Sequence, residues 1–358
     1  MPEPFKGEGA PAIVRAPHHR GMTLIELLIG MAIGLFLVLV MGSIYLGSKG
    51  TFNAQESTAR LQENARYAVD LLSNDLRMGG FRGCAGQVAG VGQLTNELQG
   101  PLTTVLNFGQ GVAGSHNVGG AWSPGLDASI GALAPNPAGD VLTIYRSFGT
   151  AWALTADMTL PTDSLQVTPS AAFNTGDILV VADCNSSAVL QITNANPGAT
   201  GTIAHVAGAA GVVPGVATSS LDRPYLQDAV VYRVQAVTYY LAPSLRQPGT
   251  MALWSSATPA YTAGPQPIEL VTGVDRMVVT YGLDTNGDQA ADTFVTADAV
   301  ANWSQVVSAR LELLLSSPDA NGATTPQPYT YAGVVTTPTD RRLRTVVSLV
   351  TSLRNAVP

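Results

Sequence analysis

Few residues in this 358-residue sequence have the types and the spacing that catalysis requires. Only two of its four histidines, His116 and His205, lie beyond residue 21, and neither has a cysteine or another histidine at metal-ligand spacing. No G-x-S-x-G or Walker motif occurs, and the glycine-rich stretches lack the strand-to-helix context of a dinucleotide site. The acidic residues are scattered, so a carboxylate pair for glycoside hydrolysis stays open. We predict that the chain is not an enzyme.

One loop has the oxygen-ligand spacing of a calcium site. Positions 1, 3, 5 and 9 of a calcium-binding loop are matched by Asp284, Asn286, Asp288 and Asp292. Gln289 stands where such a loop has glycine, and the bidentate glutamate is missing, so an EF-hand is not predicted. The alternative is a β-hairpin with Asn286-Gly287 as a two-residue turn, after a strand that ends at Tyr281. Both interpretations are compatible, because an acidic turn can also hold an ion.

The two cysteines, Cys84 and Cys184, lie far apart, at neither a metal-ligand spacing nor that of a redox motif. A disulfide between them is predicted if the domain is exported, because oxidising compartments preserve such bonds. Closing so long a loop would stabilise the fold by about 4–5 kcal/mol in the chain-entropy model. Two inert buried thiols are the alternative.

The composition limits the possible partners. Charged residues make up 12% of the chain and apolar residues 46%, a balance more common in secreted and surface proteins than in cytosolic enzymes. The net charge is −7, so the chain has no basic field that would attract nucleic-acid phosphates. We therefore predict no nucleic-acid partner.

The strongest signal lies at the amino terminus. Residues 1–21 are polar and basic, and they contain four prolines, which oppose a helix and indicate a leader peptide. Residues 22–46 are almost wholly apolar and, at about 1.5 Å per residue, can cross a hydrocarbon core of about 30 Å. The preceding basic residues should stay cytoplasmic, which places everything beyond residue 50 in the periplasm. A secretory signal peptide would have its small-residue cleavage site after the apolar run, whereas Gly21 precedes it.

Gly21 and the sequence MTLIELL over residues 22–28 resemble the prepilin processing site of type IV pilins and type II pseudopilins. The resemblance implies that a membrane peptidase cuts after Gly21 and N-methylates Met22, the new first residue. Glu26 then becomes the acidic fifth residue of the mature chain. Members of these families more often have phenylalanine where this chain has Met22.

A carboxylate at the centre of a membrane span costs about 2.5–3.5 kcal/mol, so Glu26 calls for a partner. The resemblance implies that this partner is a positive α-amino group at the start of a pilin helix, paired in a low-dielectric bundle. The resemblance implies a role in assembly for Thr23, which flanks Glu26, as well. The alternative is that Glu26 lies close enough to the interface to be solvated.

Beyond the span, an apolar stripe from Leu61 to Leu76 predicts an amphipathic helix that Gly79-Gly80 ends. Residues 82–139 are rich in Gly, Ala, Pro, Asn and Ser and predict loops, whereas later runs rich in apolar and β-branched residues predict an antiparallel sheet. The predicted segments are the leader over 1–21, a long helix over 22–80 and a periplasmic β-rich domain over 81–358. The predicted fold class is α+β and resembles that of type IV pilins. Nine strands are predicted, over residues 141–145, 165–167, 178–182, 189–193, 229–241, 251–254, 268–281, 306–315 and 343–353.

Five further segments resemble those of PilW-type minor pilins. The resemblance implies a low-copy subunit that is processed by prepilin peptidase, primes pilus assembly and joins a tip complex supporting adhesion and twitching motility. The implied partners are other minor pilins, the major pilin, a tip adhesin, the peptidase and the inner membrane of a Gram-negative bacterium, with pilus or cell-surface exposure after assembly. The alternatives are a minor pseudopilin of type II secretion and a ligand-binding module at the filament tip. The segments are residues 78–84, 181–184, 281–288, 303–307 and 340–344.

Overall fold

The computed structural model describes residues 21–81, 83, 94–259 and 266–355, so most of the predicted leader lies outside the described residues. The chain forms two compact units, Met1–Asn53 and Ala54–Pro358. Helix α1 (Leu24–Met78) begins in the first unit and continues into the second. The predicted long helix is confirmed, and its second half is part of the β-rich unit.

In the first unit, α1 is almost wholly apolar over residues 24–46. Its residues 24–53 are all exposed, and the helix is long and apolar enough to cross a membrane. Exposed apolar surface of this extent is typical of membrane or protein contacts and not of water-facing helices. The described residues therefore fit the predicted span.

In the second unit, α1 is amphipathic and packs on the β-structure. The predicted stripe is confirmed, because Leu61, Ala65, Ala68, Leu72 and Leu76 are all buried. Burying a leucine side chain contributes about 1.5–3 kcal/mol, so the three leucines fasten this half of the helix firmly. The helix ends as predicted, since Gly80 adopts a positive φ of 73° and its N–H donates to the Tyr145 carbonyl at 2.8 Å.

Two short helices, α2 (Ala128–Gly131) and α3 (Pro197–Thr200), accompany the strands. The described strands are β1 (Leu94–Asn96), β2 (Val112–Val118), β3 (Ala121–Ser123), β4 (Val141–Ala153), β5 (Leu165–Gln166), β6 (Ile178–Ala182), β7 (Ser187–Gln191), β8 (Thr202–Ile203), β9 (Val230–Pro243), β10 (Met251–Thr258), β11 (Ile268–Thr272), β12 (Val274–Leu283), β13 (Thr293–Thr296), β14 (Val306–Ser316), β15 (Tyr329–Tyr331), β16 (Val334–Thr336) and β17 (Arg344–Ser352).

The strands form two main sheets. The larger has the order β1-β7-β6-β9-β4-β2-β3, and β10 joins it by pairing with β9 on one side and with β11 on the other. The smaller has the order β13-β12-β14-β17 and is antiparallel throughout. The stripe of α1 and one face of each sheet share a single apolar core, which includes Leu142, Val237, Val279 and Leu311. The predicted α+β class is confirmed.

One long predicted strand, over residues 268–281, is two strands in the structure. Gly273 separates β11 from β12 with a φ of 78°, and a Cβ there would lie 2.6 Å from the Ser316 carbonyl oxygen. Only glycine fits this turn without strain.

The prediction of loops over residues 82–139 is wrong for the three strands β1, β2 and β3, of which β2 pairs with β4 inside the larger sheet. The strand contains Gly114, which lacks β-propensity but leaves room for a neighbour. A Cβ at Gly114 would lie 1.9 Å from the hydroxyl of Tyr281, a fully buried residue of β12. A residue far away in the sequence therefore explains this glycine.

Candidate assembly site at the amino terminus

The first turn of α1 is closed by Thr23 and Glu26. The Thr23 backbone N–H and its hydroxyl both donate to Glu26 Oε2 at 2.9 Å, and the Glu26 N–H donates to Thr23 Oγ1 at 3.3 Å. This reciprocal arrangement is a capping box, which satisfies backbone donors that a helix start leaves unpaired. A negative carboxylate here also complements the positive end of the helix dipole.

The capping box is a feature that the sequence analysis missed. Its signal is present, because threonine followed three residues later by glutamate before an apolar run is the pattern of such a cap. Thr23 and Glu26 were singled out for assembly, and the structure brings them together in one hydrogen-bonded unit. Glu26 therefore has a local partner within its own helix.

The predicted cleavage site lies directly before this cap. Gly21 and Met22 precede the helix, Met22 is 73% exposed, and no described residue beyond the chain neighbours of Gly21 has an atom within 4 Å of a Cβ placed there. A peptidase needs an accessible, extended backbone, and no described residue obstructs this one. Cleavage between Gly21 and Met22 and methylation of Met22 stay predictions.

At its other end, α1 is fastened to the larger sheet by a buried polar cluster. Asp75 Oδ1 accepts a bond from Arg146 Nη1 of β4 at 2.8 Å, and the Tyr239 hydroxyl of β9 donates to Asp75 Oδ2. Burial raises the pKa of Tyr239 well above its usual range, so the tyrosine remains a donor. Asp75 is thus satisfied from two strands.

Only one cysteine of the predicted disulfide lies among the described residues. Cys184, after β6, is disulfide-bonded, but Cys84 lies outside the described residues. Gly83, its neighbour, lies beside β6, where an added Cβ would be 3.6 Å from Ala182 Cβ. The chain before Cys84 therefore approaches the strand that precedes Cys184, although the Cys84–Cys184 pairing itself stays a prediction.

The acidic loop connects β12 to β13, which pair as the hairpin interpretation expected. The two-residue turn is wrong, because the connection covers the nine residues 284–292. Asp284 accepts bonds from the N–H groups of Asn286, Gly287 and Gln289 at 3.2, 2.6 and 2.8 Å, and these bonds hold the wider loop. Asp292 accepts from both donors of Thr285.

These bonds bear on the calcium hypothesis for Asp284, Asn286, Asp288 and Asp292. Across the described residues, no group of three or more His, Cys, Asp or Glu side chains is arranged to hold a metal ion. The loop's carboxylates accept bonds from its own N–H and hydroxyl groups instead. Calcium at this loop stays a prediction.

The two histidines have structural neighbours. His116 Nδ1 lies 2.6 Å from Asp140 Oδ1, and Asp140 Oδ2 accepts the Val279 N–H at 2.7 Å. Burial raises the pKa of Asp140 above its usual range. His205 is buried, its Nε2 bonds the Asp163 carbonyl, and burial lowers its pKa. The hydrogen bonds of the described residues bring no serine or cysteine to either ring, as nucleophilic catalysis would need.

Comparisons with known proteins find a family match in the carboxy-terminal third of the chain and a processing motif at its amino terminus. Residues 231–355 match the type IV pilus-assembly protein W family, PilW, and residues 17–42 match the prokaryotic N-terminal methylation motif. A type IV-like pilin from Thermus thermophilus is 13% identical over 84% of this chain and 99% of its own, with a TM-score of 0.34. No curated protein matches the sequence. The PilW match runs from the start of β9 to beyond the end of β17.

Proposed function

We propose that this chain primes type IV pilus assembly and takes part in the tip complex. The support is a match to the PilW family over residues 231–355 and an N-terminal methylation motif over residues 17–42. The resemblance to PilW-type minor pilins led us to expect both. The matched families are structural proteins, and a pilus component interacts with other pilus proteins. The observation that carries the proposal is the capped start of an exposed apolar helix directly after the motif's glycine.

The mechanism that we propose starts with prepilin peptidase, which cuts after Gly21 and methylates Met22. The mature helix then leaves the inner membrane and packs among like helices, with the globular unit on the periplasmic side and later at the pilus surface. Glu26 pairs with an α-amino group in that bundle. An isolated carboxylate in a low-dielectric bundle is costly, so this pairing selects the register in which the charges meet.

Glu26 would keep part of its capping role in the bundle. Thr23 donates two bonds to one carboxylate oxygen, Oε2, and no bond from a described residue to Oε1 is seen. A carboxylate can accept several bonds at once, so Oε1 is free for an incoming ammonium group. The cap also holds the side chain close to the start of the helix, which shortens the reach to a neighbour's amino terminus.

Two other functions are compatible with the same architecture. A minor pseudopilin of type II secretion would use the same motif and helix, and neighbouring genes would distinguish the two systems. A ligand-binding tip module, serving adhesion to a surface, would show binding by the purified protein. No specific observation favours either one over the pilus role.

The decisive experiment compares Glu26→Gln with the wild-type chain in pilus-producing cells. Glutamine keeps the shape and an acceptor oxygen for the cap but loses the charge, so membrane insertion should persist. We expect recovery in sheared pili to fall at least about tenfold, the equivalent of roughly 1.4 kcal/mol. Glu56→Gln, an exposed acid on the same helix that pairs with Arg60, is the matched control.

Mass spectrometry of the recovered protein tests processing separately. The expected amino terminus is methyl-Met22 in both variants. An intact leader in assembled pili would refute the processing step, and normal recovery of Glu26→Gln would refute the pairing step.

A further inference from the structure

The strand β17 lies at an open edge of the smaller sheet. It pairs with β14 along nine residues without a register shift, and no described strand pairs with its other side. An edge strand exposes a row of backbone N–H and C=O groups that can pair with another chain. This edge is therefore a candidate interaction surface.

The alternation of hydrogen bonds between β14 and β17 identifies the β17 residues whose backbone groups point away from β14. The Leu353 N–H donates to the Val307 carbonyl and the Ser317 N–H to the Leu343 carbonyl, both at 2.8 Å. In an antiparallel ladder bonded pairs alternate with non-bonded ones, so the odd-numbered residues of β17 face β14. The outward residues, whose backbone groups bond no described residue, are Val346, Ser348, Val350 and Ser352.

Protection by charge, proline or bulge is missing from residues 345–352 of this edge, and β15 approaches β17 where Arg344 lies over the Tyr329 ring. Natural edges carry charges, prolines or bulges that prevent another strand from pairing. From Thr345 to Ser352 the strand has neither a charge nor a proline, and its pairing with β14 has no bulge. The side chains of the even-numbered residues among these lie on the face of the sheet away from the core, where Ser348 is exposed and Val350 is 56% exposed.

Apolar side chains at this edge of the core are only partly buried. Val347 and Leu349 point inward and pack against the shared core, yet both are only partly buried. The equivalent inward residues of β14, Leu311 and Leu313, are 1% and 2% exposed. One more strand beside β17 would cover Val347 and Leu349, as β17 itself covers Leu311 and Leu313 of β14.

The charges at the two ends of the edge indicate what kind of strand fits. Arg354 is exposed just beyond one end, and at the other end Arg341, Arg342 and Arg344 outnumber Asp340 and Asp275. A second copy paired antiparallel in the register of greatest overlap, with Ser348 opposite Ser348, would place Arg342 opposite Arg354. Like charges directly opposite each other destabilise a pair, so self-association is disfavoured.

We propose that β17 is a docking edge for an extended segment of another protein, with apolar residues at alternate positions and acidic residues at both ends. Backbone pairing along residues 346–352 provides affinity, and the flanking charges choose the partner. This inference goes beyond pilus assembly and does not depend on Glu26 or on processing.

The test uses the full chain in detergent and a synthetic probe. The probe is the peptide Asp-Thr-Val-Thr-Val-Thr-Val-Thr-Asp with a fluorophore, and its charge-reversed control has lysine at both ends. We expect the acidic peptide to bind at least about tenfold more tightly, with a preference that weakens as salt is raised. Hydrogen exchange read by mass spectrometry should slow within residues 344–354 on binding.

Three variants locate the site. Ser348→Pro removes an outward N–H and should weaken binding about tenfold or more, whereas Ser348→Ala keeps that N–H and should bind like the wild type. Val350→Glu keeps every backbone group and repels an acidic peptide, so it serves if the proline variant fails to fold. Equal binding by all variants, or protection at another strand, would overturn the proposal. Dimers of the free chain protected at β17 would instead identify a second copy as the occupant.

Discussion

The attachment of α1 to the larger sheet should depend on Asp75. The side chains of Asp75 and Arg146 are 12% and 26% exposed, so their ion pair is largely shielded from water. Replacing Asp75 with alanine leaves the Arg146 charge and the Tyr239 hydroxyl without this acceptor. Removing one partner of a buried pair costs about 3–5 kcal/mol, so the free energy of unfolding should fall by that amount in Asp75→Ala. Tyr239→Phe removes only one bond to a charged acceptor and should cost about 1.5–3 kcal/mol.

Urea unfolding of the full chain in detergent, followed by tryptophan fluorescence, measures these changes. The matched control is Glu56→Ala, which removes an acid of the same helix from an ion pair whose side chains are 68% and 45% exposed. An exposed i,i+4 pair contributes only about 0.3–0.5 kcal/mol. If Asp75→Ala cost no more than Glu56→Ala, the buried cluster would not be what fastens the helix. A double-mutant cycle with Arg146→Met would then be expected to show no coupling.

Two more predictions concern the packing between the sheets. Burial raises the pKa of Asp140, so this group contributes stability below about pH 4, the usual aspartate pKa, and loses it as pH rises through the higher folded pKa. Asp140→Asn should therefore flatten the decline of the melting temperature from acidic to neutral pH, and parallel curves would contradict this. Gly114→Ala should lower the free energy of unfolding by about 1–3 kcal/mol, because its Cβ would overlap the Tyr281 hydroxyl. Gly131→Ala, where the space is open, should change it by at most about 0.5 kcal/mol, and similar losses in both variants would refute the overlap argument.

Features that depend on neighbours in the sequence were predictable. The apolar stripe of α1 repeats at helical spacing, and the helix end was predicted from its glycines. The bounds of β6, Ile178–Ala182, agree with the predicted run, because continuous β-branched and apolar residues indicate a buried strand. Such patterns are local, so a single sequence contains them.

Features that depend on residues distant in the sequence were not predictable. Asp75 lies 71 positions from Arg146 and 164 from Tyr239, so no spacing rule connects them. Strand β2 has few strand-forming residues and forms because it pairs with β4. The nine-residue loop after β12 is held by hydrogen bonds to the Asp284 carboxylate, which turn statistics do not anticipate. The capping box is a different case, since its signal was local and present in the sequence.

The position of that cap has a consequence for the processing that we propose. Thr23 and Glu26 both lie on the mature side of the bond after Gly21, so cleavage removes none of the cap's hydrogen bonds. Cleavage does remove the basic leader and creates a positive amino group at Met22, one residue before Thr23. The carboxylate that closes the helix start thus stays in place while the charges around it change. In the mechanism that we propose, one glutamate therefore first caps the start of the helix and then, with its second oxygen, accepts a bond from a neighbouring subunit's amino group.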